Sequence, residues 1–500
     1  MRTPLWWLAY TAWFTGSVLV ATRINEHVPE PYMDEIFHVT QAQAYCRGDR
    51  RYWDPALTTP PGLYLLPALL SHLQRQLPFL ERLAPDACSV PALRAFNLLL
   101  SFSLPFLYSS LLSLLHTSPR RKPTSYAWEG LVIALFPVLG WWAWMYYTDL
   151  ASVLAVLVSW RYALQRRYAF SAAAGAVSLL FRQTNIVWLA FIAGQAAIAR
   201  LRFASAGTGV SRLHDPLLQK ARLGHLVVVP MSVILAALRN FPALLPVLAS
   251  YLPVFAAALA FVRWNGGIVL GDKANHVPTL HLAQVWYFLA FAAAFFAPQV
   301  LGVRPVMRAL VGSVRTPGRL LGSVLALSTI LYAIHHYTVA HPFLLADNRH
   351  YAFYLWRRVI NVHPYARYGL APGYFVAARL LWIQLAGAGT MRLSTLLLFT
   401  GATCAVLIPT PLLEPRYFLT PMLILRLYLS FSSSNASITP RTNSRQRLAL
   451  EAALYIVVQL VCVWLFLDRP FRWEIEVGVD GKGLHGRDER EVGRWQRFMW

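Results

Sequence analysis

Apolar runs close to twenty residues long recur along this 500-residue chain, and they constrain its fold more than any other feature. A run of that length crosses a bilayer as a helix, and in lipid only helices and closed barrels satisfy their own backbone polar groups. The runs lie near residues 5–21, 93–116, 127–146, 149–165, 168–181, 185–199, 242–262, 282–303, 319–339, 366–387, 393–412, 416–431 and 448–467. Two further stretches, 62–73 and 225–238, are short and are expected to be re-entrant or interfacial helices. The expected fold is an all-α polytopic membrane protein, one domain over 1–500 with about 12–14 transmembrane helices. Composition agrees: charged residues are 13% of the chain, against roughly a quarter in soluble domains.

The net charge of +23 would suggest nucleic acid in a soluble protein. Here the basic residues cluster in short loops between spans, which is how topology signals facing the cytosol are distributed. With the N-terminus in the cytosol, Arg120-Arg121-Lys122, Arg166-Arg167, the 200–222 linker and the 304–319 loop (Arg304, Arg308, Arg315, Arg319) fall on that side. So does the 432–447 linker, where the sequon Asn435-Ala436-Ser437 would go unused. The opposite face receives the first loop, 22–92, and the segments 146–149, 181–185, 264–281, 340–365 and 413–417. The first span lacks a small-residue cleavage site and reads as a retained anchor.

That second face carries every polar motif. Tyr32-Met33-Asp34-Glu35-Ile36-Phe37-His38 follows the first span, and Trp53-Asp54-Pro55 and Thr58-Thr59-Pro60-Pro61-Gly62 share its loop. Carboxylates there can take a proton from a hydroxyl held at the membrane surface, although loop acids are also common as plain solvated residues. Arg182 and Asn185 sit at a span junction where an Arg fits a phosphate, or snorkels. Asn265-Gly266-Gly267-Ile268-Val269-Leu270-Gly271-Asp272-Lys273 can cradle a phosphate or sugar, or cap a helix. Asp347-Asn348-Arg349-His350-Tyr351 suits recognition of hydroxyls or a phosphate, and Arg416 of Glu414-Pro415-Arg416-Tyr417 can face a cavity or pair locally. His335, His336 and His341 match no standard zinc spacing. Cys46 and Cys88 share the first loop and can pair there, which spacing alone leaves open.

Carboxylates with cations at headgroup depth suit glycosyl transfer from a lipid phosphate to a sugar hydroxyl. Taken in order with the closing Arg497-Phe498-Met499-Trp500, these motifs resemble the endoplasmic-reticulum α-1,2-glucosyltransferases that add the third and last glucose to the lipid-linked N-glycan precursor. The resemblance implies a GT-C class bundle in the endoplasmic reticulum membrane with its active site facing the lumen. It implies dolichyl phosphate glucose as donor, Glc2Man9GlcNAc2-PP-dolichol as acceptor, and inverting single displacement without a metal or other cofactor. Asp34 is the expected base and Glu35 its supporting group for the acceptor. Substrate contacts are expected from Asp54, Arg182, Asn185, Asp272, Lys273, Asp347, Arg349, His350 and Arg416. Thr59-Pro60-Pro61 has one proline more than the usual family form, and Pro415 stands where a Phe is frequent. The rival reading, a transporter or channel, lacks the repeat and the midplane charges such proteins use.

Overall fold

The computed structural model describes residues 3–77, 86–116, 123–207, 213–429, 444–473 and 494–500. Among these residues the secondary structure is helical, with only isolated β-bridges. Arg120-Arg121-Lys122, the sequon at Asn435 and the 474–492 tail lie outside the described residues, as do parts of both expected linkers.

Among the described residues, five helices are long and apolar enough to span a membrane: Val90–Leu115, Asn185–Ser205, Phe241–Asn265, Pro317–His336 and Ser444–Asp468. A sixth span is formed if Pro123–Ala134 and Pro137–Trp144, bent by 64° at their junction, count as one. Pro137 causes the break, because a proline forces the preceding Phe136 out of the helical region to ψ 121°. The other expected spans are shorter or more polar helices. Asp149–Leu164 has 16 residues, Tyr168–Leu179 has 12, Leu393–Leu407 has 15 and Leu419–Tyr428 has 10. Every residue of Leu419–Tyr428 is buried, so neighbouring helices rather than lipid cover it. The count of about 12–14 spanning helices is therefore reached only if such short, protein-covered helices are included. The expected loop 304–319 is itself mostly helix, Val303–Val314.

The outer surface is apolar in the way a bilayer demands. Leu252, Leu259, Val324, Leu325, Leu460 and Val461 are all exposed on the long helices. Helix Gly62–Gln76 buries Leu63 and Tyr64 and exposes Leu65, Leu66, Leu69, Leu70 and Leu73, an amphipathic arrangement suited to the interface expected for 62–73. Inside the bundle, buried charges are paired. Arg426 lies 2.7 Å from Glu451 and 3.4 Å from Glu129, tying three helices together.

Cys46 and Cys88 form a disulfide, closing the end of helix Glu35–Cys46 onto the chain just before Val90. This bridge and the strained turn before Asp34 position the first loop over the bundle.

Candidate active site

The first helix, Pro4–His27, ends before an extended stretch, and helix Glu35–Cys46 starts at Asp34. Between them Met33 has φ +57°, a left-handed conformation that a non-glycine residue adopts at a cost of roughly 1–2 kcal/mol. The turn sends two neighbouring carboxylates in different directions. Asp34 caps the helix without a side-chain hydrogen bond to it, and its side chain is 42% exposed. Its Oδ2 lies 2.8 Å from Arg416 Nη1, and its backbone N–H donates to Tyr147 Oη at 3.1 Å. Among the described residues Asp34 Oδ1 has no hydrogen-bond partner. Burial opposes ionisation of Asp34, but this is incomplete in an open cavity, and the charge and hydrogen bond of Arg416 hold the carboxyl below its ordinary range.

Glu35 departs from the expected role. It is fully buried and does not line the cavity. Arg94 donates to it from Nη2 at 2.6 Å and from Nε at 2.9 Å, and the backbone N–H groups of Tyr32 and Tyr146 donate at 3.1 and 2.7 Å. All its acceptor capacity is used in holding the turn, so it cannot orient an acceptor.

Asp34 opens onto a cavity of roughly 2160 Å³, well above the usual few hundred to a thousand for one small ligand. Its lining includes the charged and polar side chains of Asp34, His38, Arg182, Arg349, His350 and Arg416. It also includes apolar side chains, among them Val254, Ala258, Phe261 and Val262 of helix Phe241–Asn265 and Leu180. Arg416 is shared between Asp34 and a close contact to Glu414, and Arg182 pairs with the buried Asp149 at 2.8 Å. The Tyr417 ring lies 5.7 Å from both guanidinium groups.

On the facing wall, Arg349 holds Asp347 by two bonds, Nε to Oδ1 at 2.9 Å and Nη2 to Oδ2 at 2.7 Å. Arg349 also lies 4.8 Å from the Trp473 ring, and Nη1 donates to Gln496 Oε1 at 3.0 Å. Burial works against the Asp347 carboxylate, but the Arg349 hydrogen bonds dominate and lower its pKa. The 494–500 segment clasps this wall to the Asp34 turn. Met499 N–H donates to Arg349 O, Tyr351 N–H donates to Met499 O, and the Tyr32 hydroxyl meets the backbone of Arg497.

Other expected contacts are absorbed by structure. Asp54 Oδ1 accepts from Ala56 N–H in a local turn outside the cavity. Asn185 is buried and donates to Ser152 Oγ and Ser178 O, both at 2.8 Å, locking three helices together. Lys273 also lies outside the cavity, because its ammonium caps the end of helix Phe241–Asn265 at Asn265 O. Gly266, at φ +69°, ends that helix in a left-handed cap and is no phosphate cradle. Gly271 lies so close to the backbone carbonyls of Pro55 and Leu57 that an added Cβ would overlap both. Asp272, next in the chain and at φ +43°, lines the cavity.

The model of the DIE2/ALG10 family matches residues 28–427. The chain belongs to that family. It is 34% identical to the Mus musculus protein named Dol-P-Glc:Glc(2)Man(9)GlcNAc(2)-PP-Dol alpha-1,2-glucosyltransferase, over 98% of both chains. It is 32% identical to the Arabidopsis thaliana protein of the same name, over 95% of this chain and 96% of that one. The Homo sapiens protein of that name is 32% identical over 98% of both chains. No solved structure matches.

For this DIE2/ALG10 family member, sequence reasoning missed three groups around Asp34. His38 stands one helical turn beyond it, and its Nδ1 lies 2.7 Å from Tyr64 Oη. Burial chiefly, with the charges of Arg416 and Arg182, pushes His38 down to about 4 against the pull of Asp34, so it is neutral at pH 7. The i, i+4 spacing from Asp34 was the available signal. Tyr147 and Asp149 stood in the motif loops, but only the fold joins them to Asp34 and Arg182. Among the described residues no three His, Cys, Asp or Glu side chains are grouped to hold a metal ion.

Proposed function

We propose that the protein transfers glucose from dolichyl phosphate glucose to Glc2Man9GlcNAc2-PP-dolichol in an α-1,2 linkage, the last step of building the N-glycan precursor. The observation that carries this reading is Asp34, ionised and, among the described residues, with one free carboxylate oxygen, in a cavity lined by both charged and apolar side chains. The charged groups suit sugars and phosphate, and the apolar walls suit a lipid chain. The relatives' names supply the substrates. Asp34 accepts the proton of the acceptor hydroxyl as its oxygen attacks the anomeric carbon. The bond from that carbon to the phosphate oxygen breaks, and the electron pair leaves on dolichyl phosphate. One displacement inverts the centre, so an α product requires a β-linked donor. Arg349 and Arg182 take the leaving phosphate, since both line the cavity and each has one carboxylate partner fixing its orientation. A GT-C class bundle, with the reaction on the lumenal face, completes the reading.

Arg349→Gln is expected to raise the donor KM or lower kcat, leaving the preference for acceptor length unchanged. Steady-state kinetics with varied donor check this, and unchanged donor constants would remove Arg349 from the phosphate site.

No metal is required in this scheme. Purified enzyme in excess chelator is expected to keep its rate, and activity that one divalent ion restores after chelation would overturn this part of the reading.

The Cys46–Cys88 disulfide supports the lumenal assignment, because such bridges persist in oxidising compartments. With Cys404 and Cys462 replaced, cysteines are placed at Tyr365, which is exposed, and at Lys220. In sealed microsomes an impermeant thiol reagent should label position 220 at once and position 365 only after permeabilisation. The reverse pattern would put Asp34 in the cytosol, away from lipid-linked glucose.

A further inference from the structure

We propose that a second cavity, remote from Asp34, holds the headgroup phosphate of an anionic phospholipid. Helix Pro317–His336 links the two sites. Its far end leads to His341 and Leu344 of the Asp34 cavity, and its first turns line the second cavity through Arg319, Gly322 and Ser323. The two ends of a twenty-residue helix are about 30 Å apart. The second cavity has a volume of roughly 1050 Å³.

Arg308, Arg315, Arg319 and Arg379 all line it, and among the described residues no acidic side chain does. Among the described residues Arg315, Arg319 and Arg379 have no carboxylate partner. Arg379 Nε is shielded from solvent and makes no hydrogen bond. Four other inward-facing arginines each have a carboxylate: Arg94 has Glu35, Arg182 has Asp149, Arg349 has Asp347 and Arg426 has Glu451. Arg315, Arg319 and Arg379, gathered without a carboxylate partner, repel one another, and an orphaned buried donor is costly. One phosphate resolves both, accepting charge-assisted hydrogen bonds from several guanidinium forks.

The walls favour a lipid over a free ion. Met307, Val311, Phe375, Trp382 and Ile383 line the same cavity. Just outside, Leu320, Leu321, Val324 and Leu325 are exposed along helix Pro317–His336. A headgroup among the arginines therefore leaves its acyl chains against an apolar helix face.

The full chain, purified in neutral detergent, is tested with phosphatidylinositol, with phosphatidylcholine and with inorganic phosphate. Native mass spectrometry reads bound lipid, and thermal unfolding reads stabilisation. Phosphatidylinositol is expected to bind and to raise Tm, and phosphatidylcholine far less. Arg319→Gln with Arg379→Gln should weaken phosphatidylinositol binding at least about tenfold, the factor that about 1.4 kcal/mol represents. Transfer activity in phosphatidylcholine should stay at the parent level in that variant. If it does not fold, Arg315→Gln is compared with Arg315→Lys, and the lysine variant should bind the lipid more tightly. Equal lipid binding by parent and glutamine variants overturns the proposal. So does inorganic phosphate that raises Tm as far as phosphatidylinositol at equal concentration.

Discussion

Asp34→Asn is expected to fold normally and to lower glucosyl transfer by on the order of a hundredfold or more, the usual contribution of a positioned general base. Asn is nearly the same shape and can still meet Arg416, but it cannot accept the hydroxyl proton. Asp34 is partly exposed and its Oδ1 is free, so its loss leaves little buried structure unsatisfied. The pH profile supplies a second reading. Its pKa is lowered, so the carboxylate is in its working form throughout the neutral range, and activity should fall only on the acid side, below the ordinary Asp value of about 3.9. The same sign holds for stability. The pair with Arg416 contributes above the unfolded-state pKa and is lost as pH falls through the lowered native value. Transfer from radiolabelled lipid donor, with protein level checked, decides the matter. Near-parent turnover would move the base to Glu414, the other cavity-lining carboxylate bonded to Arg416.

Glu35→Gln, one residue along, should behave in the opposite way. Its carboxylate is fully buried against Arg94, which is 1% exposed, and it also accepts two backbone N–H groups. Removing one partner of such a pair leaves an uncompensated buried charge, at a cost of about 3–5 kcal/mol. The expected result is a large drop in Tm and in protein level, with the residual folded fraction keeping a near-parent donor KM. Arg94→Gln should do the same, and the double substitution should be less damaging than the two singles added together. A Glu35→Gln protein with parental Tm and lost turnover would return this residue to the chemistry. The two neighbouring carboxylates are thus separated by measurements that respond to different physical roles.

Much of the fold was legible because the bilayer reduces it to one pattern. Apolar runs of span length marked the helices, and Phe241–Asn265 and Ser444–Asp468 emerged close to their expected bounds. The run at 127–146 did not, because Pro137 breaks it into two bent helices. The run at 416–431 became the ten-residue helix Leu419–Tyr428, wholly covered by protein, and hydropathy cannot tell protein-covered from lipid-covered helix. Of the site, Asp34, Arg182, Asp272, Asp347, Arg349, His350 and Arg416 do line one cavity. Glu35, Asp54, Asn185 and Lys273 carry the same chemistry in the same motifs, but Glu35 and Asn185 are taken up by distant partners that sequence does not reveal, and Asp54 and Lys273 by a local turn and a helix cap.

The sequence by itself determined that this chain is a helical membrane protein of one recognisable family, with its polar motifs gathered in loops of one kind. Those properties depend on residue type and local spacing. Only the tertiary structure decided which motif residues line the cavity. One residue of helix turns a side chain by about 100°, enough to place Asp34 in the cavity and Glu35 on Arg94. The partners that complete the site come from far along the chain. Arg416 reaches Asp34 across 382 positions, and Arg497 meets Tyr32 across 465. Contacts over such separations are set by the packing of the whole bundle, and no local pattern records them.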